Sequence, residues 1–308
     1  MARDMIVEKT PDVVTLDINM PKMDGLTFLN KLMESHPLPV VMVSALSQKG
    51  SKIALSCLES GAVDVIGKRN LNSPESREAM AMEILDKVHA AALARVQIKP
   101  KRALPMQVAG LPQIYRGDAV IALGASTGGT EALKEILTAM PSNCQPLLVV
   151  QHMPEHFTAS FAERMNELAH IKVREAEDFA KLTPGLAYIA QGDSHLSVKR
   201  EGVSEYVCSV RSGPPVCRHR PSVDVLFKSV SQVFGRRAVG AILTGMGSDG
   251  AQGLLAMRKT GARTIAQDEA TSLVFGMPAE AIKAGAAEFV LPLQDIPSTI
   301  LELCRVKG

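Results

Sequence analysis

Three short segments of this 308-residue chain carry side chains suited to nucleophilic chemistry. Gly124-Ala125-Ser126-Thr127-Gly128-Gly129 sets a serine among glycines, directly after an apolar run and before a helical one. This GxSxG spacing fits a sharp strand-to-helix turn. Such a turn exposes the hydroxyl, and the helix start behind it offers unpaired N–H groups to an oxyanion. A phosphate or dinucleotide loop uses similar glycine-rich turns, although Ser126 stands where the second glycine of G-x-G-x-x-G belongs. His152 follows the apolar run Leu147–Gln151, and Pro154 after it can open a helix. Asp249 lies just past a third apolar run, Val239–Thr244, in a glycine-rich segment. Taken singly, His152 reads as a packing or capping residue and Asp249 as a helix N-cap. Together they form a set able to run acyl transfer: nucleophile, proton carrier and orienting carboxylate.

The elements that must position these residues are strands alternating with helices, the pattern of a parallel sheet. From Ala119 onward the predicted strands are Val120–Gly124, Leu147–Gln151, Ala187–Ala190, Val239–Thr244, Arg263–Ala266 and Glu288–Leu291. The predicted helices are Thr130–Ala139, Pro154–Leu168, Val223–Phe234, Ala251–Thr260, Pro278–Ala284 and Ile296–Cys304. Leu196–Lys199 and Glu205–Val210, split by Gly202, read as an added hairpin. Ser126, His152 and Asp249 then all follow carboxyl ends of strands, where open parallel sheets bind their ligands. Their order, Ser–His–Asp, differs from the Ser–Asp/Glu–His order of the α/β-hydrolase family and points to a separate solution. The expected fold class is α/β, with a three-layer αβα C-terminal domain.

The front of the chain alternates in the same way. Val13–Ile18, Val40–Ala45 and Val63–Ile66 read as buried strands, with helical spacing over Leu26–Glu34, Ser51–Glu59 and about Pro74–Gln97. Residues 99–118 hold three prolines and two glycines with little periodicity and read as a linker. The expected organisation is therefore 1–98, a linker over 99–118, and 119–308. Net charge is +2 and tryptophan is absent, which argues against nucleic acid as a partner. No apolar run is long enough to span a bilayer, and Met1–Glu8 lacks the apolar segment of a signal peptide. Five scattered cysteines without a CxxC pair fit neither a disulfide nor a zinc framework, so a reducing cytoplasm is expected.

The three segments resemble those of the chemotaxis protein-glutamate methylesterases, the CheB family. Ile121–Thr130 is similar to the family's nucleophile segment, Gln151–Pro154 to its histidine segment and Leu243–Gly250 to its aspartate segment. Ala187–Asp193, Pro214–Asp224 and Phe275–Pro278 match as well, so the likeness spans Ala119 to about Leu293. The resemblance implies hydrolysis of glutamate methyl esters on chemoreceptors, and deamidation of particular receptor glutamines, with no cofactor. Ser126 would be nucleophile, His152 general base and acid, and Asp249 the orienting carboxylate. The backbone near Met246 would donate to the oxyanion, and Thr127 would orient Ser126 or His152. His219 and Arg218 would shape the substrate cleft, while His156 and His195 read as surface residues. A catalytically silent receptor-binding module is the competing expectation.

Val13–Gly25 resembles the phosphoacceptor segment of a flavodoxin-like receiver domain, with Asp17 as acceptor. Ser44 matches the switch hydroxyl and Lys68 the phosphate-contacting lysine, while Arg69 departs from the usual proline. The first receiver strand and the acidic pair that holds Mg²⁺ have no counterpart before Val13. This receiver is read as incomplete, as from a truncated reading frame. Mg²⁺ and a chemotaxis histidine kinase as phosphodonor follow from the resemblance, and the missing pair counts against both. In intact relatives the receiver covers the active site until phosphorylated, so that inhibition is expected to be weak here.

Overall fold

The computed structural model describes residues 2–68, 72–95, 118–203 and 205–305. The expected linker therefore lies, apart from Asp118, outside the described residues, as does Arg69. Two compact units emerge, residues 1–100 and 101–308.

The first unit runs α1 (Ala2–Lys9), β1 (Val14–Asp17), α2 (Gly25–Ser35), β2 (Val40–Ala45), α3 (Gln48–Glu59), β3 (Asp64–Lys68) and α4 (Pro74–Ala92). Its three strands are parallel, in the order β1-β2-β3. Side-chain caps fix three helix starts: Asp24 for α2, Ser47 for α3 and Ser73 for α4. Each accepts a backbone N–H that the first turn leaves without an intrahelical partner. The α1 helix was not foreseen, because its weakly patterned residues give no periodic apolar face.

The second unit continues with β4 (Val120–Ala125), α5 (Gly129–Ala139), β5 (Leu147–Gln151), α6 (Phe157–Leu168), β6 (Lys172–Glu175) and β7 (Leu186–Ile189). There follow β8 (His195–Glu201), β9 (Glu205–Arg211), α7 (Val223–Phe234), β10 (Ala238–Ile242), α8 (Ala251–Lys259), β11 (Arg263–Gln267), α9 (Met277–Lys283), β12 (Phe289–Leu291) and α10 (Ile296–Leu303). Seven parallel strands form one sheet in the order β12-β11-β10-β4-β5-β7-β6. β8 and β9 pair as a separate antiparallel hairpin.

Helices cover both faces of this sheet. α7 packs on β4, β5 and β10, with α8 and α9 beside it; α5, α6 and α10 pack from the other side. That is why β4, β5 and β10 are fully buried and read as continuous apolar runs. On the α7 side, Val120, Ala122, Leu148 and Val150 meet Val223, Leu226, Phe227 and Leu254 in one core. β6 escaped notice because only Val173 of Lys172–Glu175 is buried. Charged residues around one apolar position leave no strand signature. Among the described residues, no helix is long and apolar enough to cross a membrane.

The chain enters the sheet at β4, moves to one side through β5, and returns after β9 to place β10 on the other side of β4. The strand order thus reverses between β4 and β10. In an open parallel sheet that reversal opens a crevice at the carboxyl ends of the strands.

Candidate active site

Strand register brings the expected residues to that crevice. Ala125 lies opposite Gln151 across β4 and β5, and Gly124 opposite Ile242 across β4 and β10. The ladder runs one step further on both sides: the His152 N–H donates to the Ala125 carbonyl at 3.1 Å, and the Ser126 N–H to the Thr244 carbonyl at 3.0 Å. Ser126 and His152 therefore leave adjacent strands at the same level. Beyond Ser126 the chain turns at once into α5, with Gly128 at φ 78°, a left-handed conformation that a side chain would strain.

The oxyanion side is built by close backbone approach. A Cβ on Gly245 would lie 2.6 Å from the Ser126 Cβ, so only glycine lets the Gly245–Met246 backbone lie against the serine. Gly276 backs the same segment; a Cβ there would lie 3.0 Å from the Met246 Cα. Thr127 is buried, and its carbonyl accepts the Thr244 hydroxyl at 3.0 Å, tying the nucleophile turn to the end of β10. Gln151 donates through its side chain to the Ser126 carbonyl at 2.9 Å. Gln151 opens the segment that resembles the family's histidine segment, but no local signal marks a long-range contact of that kind.

His152 and Asp249 meet directly. The His152 Nε2 is 2.8 Å from the Asp249 Oδ2, and the two side chains are 7% and 1% exposed. The other ring nitrogen, Nδ1, is buried with no partner among the described residues. Nδ1 is accordingly the atom left to take a proton, whereas the familiar triad orients Nδ1 on aspartate and uses Nε2 as the base.

Asp249 does not cap its own helix, as its position had implied; Gly250 holds that place in α8. Its carboxylate instead takes the N–H groups of Val223 (2.7 Å) and Asp224 (3.1 Å) and the Ser222 hydroxyl (2.7 Å), at the start of α7. Asp224 returns the service: its Oδ1 accepts the N–H groups of Gly250 (3.1 Å) and Gly253 (2.7 Å) at the start of α8. Each carboxylate thus sits at the positive end of the other's helix. Burial pushes the Asp249 carboxyl up. The hydrogen bond and charge of His152, with bonds from Ser222 and Val223, outweigh that and hold it below the ordinary aspartate range. The Cys217 thiol lies near these two carboxylates, all within 4.8 Å. With both carboxylates fully engaged by protein donors, including Lys228 on Asp224, the trio does not suit a cation.

His219 stacks on His152, centroids 3.7 Å apart and planes 12° from parallel. Arg218, beside it, is exposed. His156 is exposed at φ 68° and ends a turn that delays α6 to Phe157, three residues later than expected. His195, read as a surface residue, is instead 8% exposed and bonded through Nε2 to the Pro214 carbonyl at 3.0 Å.

In the first unit, Asp17 and Lys68 form a direct ion pair, and the Asp17 carboxylate also accepts the Asn19 N–H at 2.9 Å. Slight burial pushes this carboxyl up, while the Lys68 and Asn19 bonds and the lysine charge pull it lower overall. Ser44 is not turned to this pair; it is buried, with its hydroxyl on the Gly50 carbonyl at 3.2 Å. Asp24, the next carboxylate along the chain, is engaged in capping α2. One ion-paired carboxylate does not match the oxygen-rich, nearly octahedral set that Mg²⁺ requires.

The comparisons agree with this architecture. Residues 121–300 match the family model for the CheB methylesterase, and residues 1–80 that for the response regulator receiver domain. The chain belongs to the CheB methylesterase family. It is 51% identical over 309 residues to the protein-glutamate methylesterase/protein-glutamine glutaminase 5 of Anaeromyxobacter dehalogenans, covering 96% of this chain and 85% of that protein. Its identity to the Salmonella typhimurium protein-glutamate methylesterase/protein-glutamine glutaminase is 50%, over 98% of this chain and 86% of that one. The crystal structure of the Thermotoga maritima CheB methylesterase catalytic domain superimposes with a TM-score of 0.59 at 37% identity, covering 60% of this chain and 98% of that domain.

Proposed function

We propose that this chain is a protein-glutamate methylesterase, and a protein-glutamine glutaminase, working in chemotaxis signalling through Ser126, His152 and Asp249. The observation that carries the assignment of residues is the His152–Asp249 pair beside Ser126 at the reversal of strand order. The relatives' names supply the substrate class, glutamate methyl esters and glutamines of a protein; chemoreceptors as that protein, and the cytoplasm as the place, follow from the family resemblance.

In this reading the Ser126 hydroxyl adds to the ester carbonyl carbon as His152 Nδ1 takes its proton. The oxyanion so formed is met by backbone N–H groups near Met246 and the start of α5. The tetrahedral adduct collapses, the C–OCH₃ bond breaks, and the imidazolium returns the proton to release methanol. Water, activated by the same nitrogen, then cleaves the acyl-serine to free glutamate and serine. With a glutamine side chain, ammonia leaves in place of methanol. Asp249 keeps the proton on Nε2 and balances the imidazolium charge. A helix start, a hydroxyl and the imidazole all stabilise its ionised form, which suits that duty.

The test is methanol release from methylated chemoreceptor membranes, with ammonia release from unmethylated receptors measured in parallel. Methanol above the no-enzyme control is expected. Receptor binding without methanol or ammonia would favour the silent module instead.

A further inference from the structure

We propose that His219 is a positioning residue that clamps the His152 ring in the plane that its bond to Asp249 leaves unfixed; this rests on the proposed esterase reading. A single hydrogen bond at Nε2 fixes one edge of an imidazole but leaves its plane free to swing. The face of His219, 3.7 Å away and 12° from parallel, supplies the missing restraint.

The segment carrying His219 is shaped for holding it. Val216 and His219 exchange both backbone hydrogen bonds, at 3.0 and 2.9 Å, around a two-residue turn. Its corner residues, Cys217 and Arg218, have φ of 50° and 67°. Such a turn ordinarily takes Asn or Gly, so two side-chain-bearing residues are kept there against local preference. Strain of this sort persists only where the surroundings over-determine it. Here the surroundings are identifiable. Buried His195 holds the Pro214 carbonyl, Arg220 grips Asp193 and the Gly213 carbonyl, and Ser222 starts α7 while bonding Asp249. His219 is thus mounted on a braced turn joined to the same helix start that holds the carboxylate.

The stack also has a chemical direction. Two neutral rings face to face are poorly matched, because their negative faces oppose one another. Once His152 holds the proton of Ser126, a cation lies over an aromatic face, which is attractive. The contact therefore strengthens as the tetrahedral intermediate forms, and an interaction of that kind raises kcat.

The experiment compares wild type, His219→Ala and His219→Phe in two readouts. In methanol release, the Ala variant should lose kcat by about 10- to 100-fold with little change in KM, and Phe should recover most of the loss. In NMR spectra of histidine-labelled full-length protein, the His152 ring protons should carry an upfield ring-current shift in wild type and the Phe variant, and lose it with Ala. Wild-type kcat in the Ala variant would overturn the proposal. So would a Phe variant as impaired as Ala, since a ring nitrogen rather than the face would then matter. An unshifted His152 ring in wild type would do so irrespective of activity. A shifted ring with no methanol release from wild type would leave the clamp in place and sink the esterase reading.

Discussion

The two units present a carboxylate on the carboxyl side of a parallel sheet in opposite ways. Asp249 is 1% exposed and receives an imidazole, a hydroxyl and two backbone N–H groups. Asp17 is 36% exposed and is held by one lysine and one N–H. The first is buried under a layer of helices on a seven-stranded sheet; the second ends the terminal strand of a three-stranded one. A site that must keep one geometry is overdetermined by its hydrogen bonds. A carboxylate held by a single exposed ion pair is weakly fixed, because such pairs are typically worth less than about 1 kcal/mol.

The largest predicted effect lies in the second unit. Ser126→Ala should lower methanol release by about 10⁴-fold or more. The serine hydroxyl has no hydrogen-bond partner among the described residues, so thermal melting of this variant should stay close to wild type. A variant that keeps a tenth of the activity would break the contrast between the units.

Asp249→Asn should come next, reducing kcat by about 10³- to 10⁴-fold, as loss of the orienting carboxylate does in serine hydrolases. It also tests the electrostatics. A carboxyl held below its ordinary value stabilises the fold at every pH above the unfolded value of about 3.9, and that contribution fades as pH falls through the lowered folded value. Urea melts of wild type should therefore lose stability below about pH 4. The Asn variant should begin less stable and lose less over the same range.

Asp224 sharpens the point, since it holds the helix that follows Asp249. Asp224→Ala removes the acceptor of two N–H groups at the start of α8 and should cost about 2–3 kcal/mol in denaturant unfolding. Activity at a permissive temperature should fall by about tenfold or less, well short of the Asp249 effect. Equal losses from Asp224→Ala and Asp249→Asn would show that fixing the loop matters as much as the charge on His152.

The smallest effect belongs to the first unit. Acetyl phosphate with Mg²⁺ should change methanol release by less than about twofold, because Asp17 is ion-paired to Lys68 and, among the described residues, stands in no cluster of carboxylates able to hold the metal. Strong stimulation would show that one ion-paired aspartate suffices for a working receiver.

Much of this was legible in the residues. Leu147–Gln151 and Val223–Phe234 appear where their apolar patterns placed them, because a strand buried on both faces and an amphipathic helix each leave a local signature. The three strand-end residues could be named because glycines and apolar runs mark strand-to-helix turns. What stayed hidden depends on contacts between distant segments. Asp249 looked like the cap of its own helix, but its carboxylate reaches α7, 26 residues back in the chain at Val223. Asp224 lies in the first turn of α7, yet its side chain serves α8. His195 is polar and lies near a hairpin, so nothing local foretold its burial against Pro214.

The central claim is that Ser126 carries the acyl group. Brief reaction of the full chain with methylated receptor, quenched in acid and digested for mass spectrometry, tests it directly. The account predicts a glutamyl ester on the peptide containing Ser126, formed together with methanol and absent from Ser126→Ala. Methanol appearing at the wild-type rate with Ser126 unmodified, and persisting in Ser126→Ala, would contradict it.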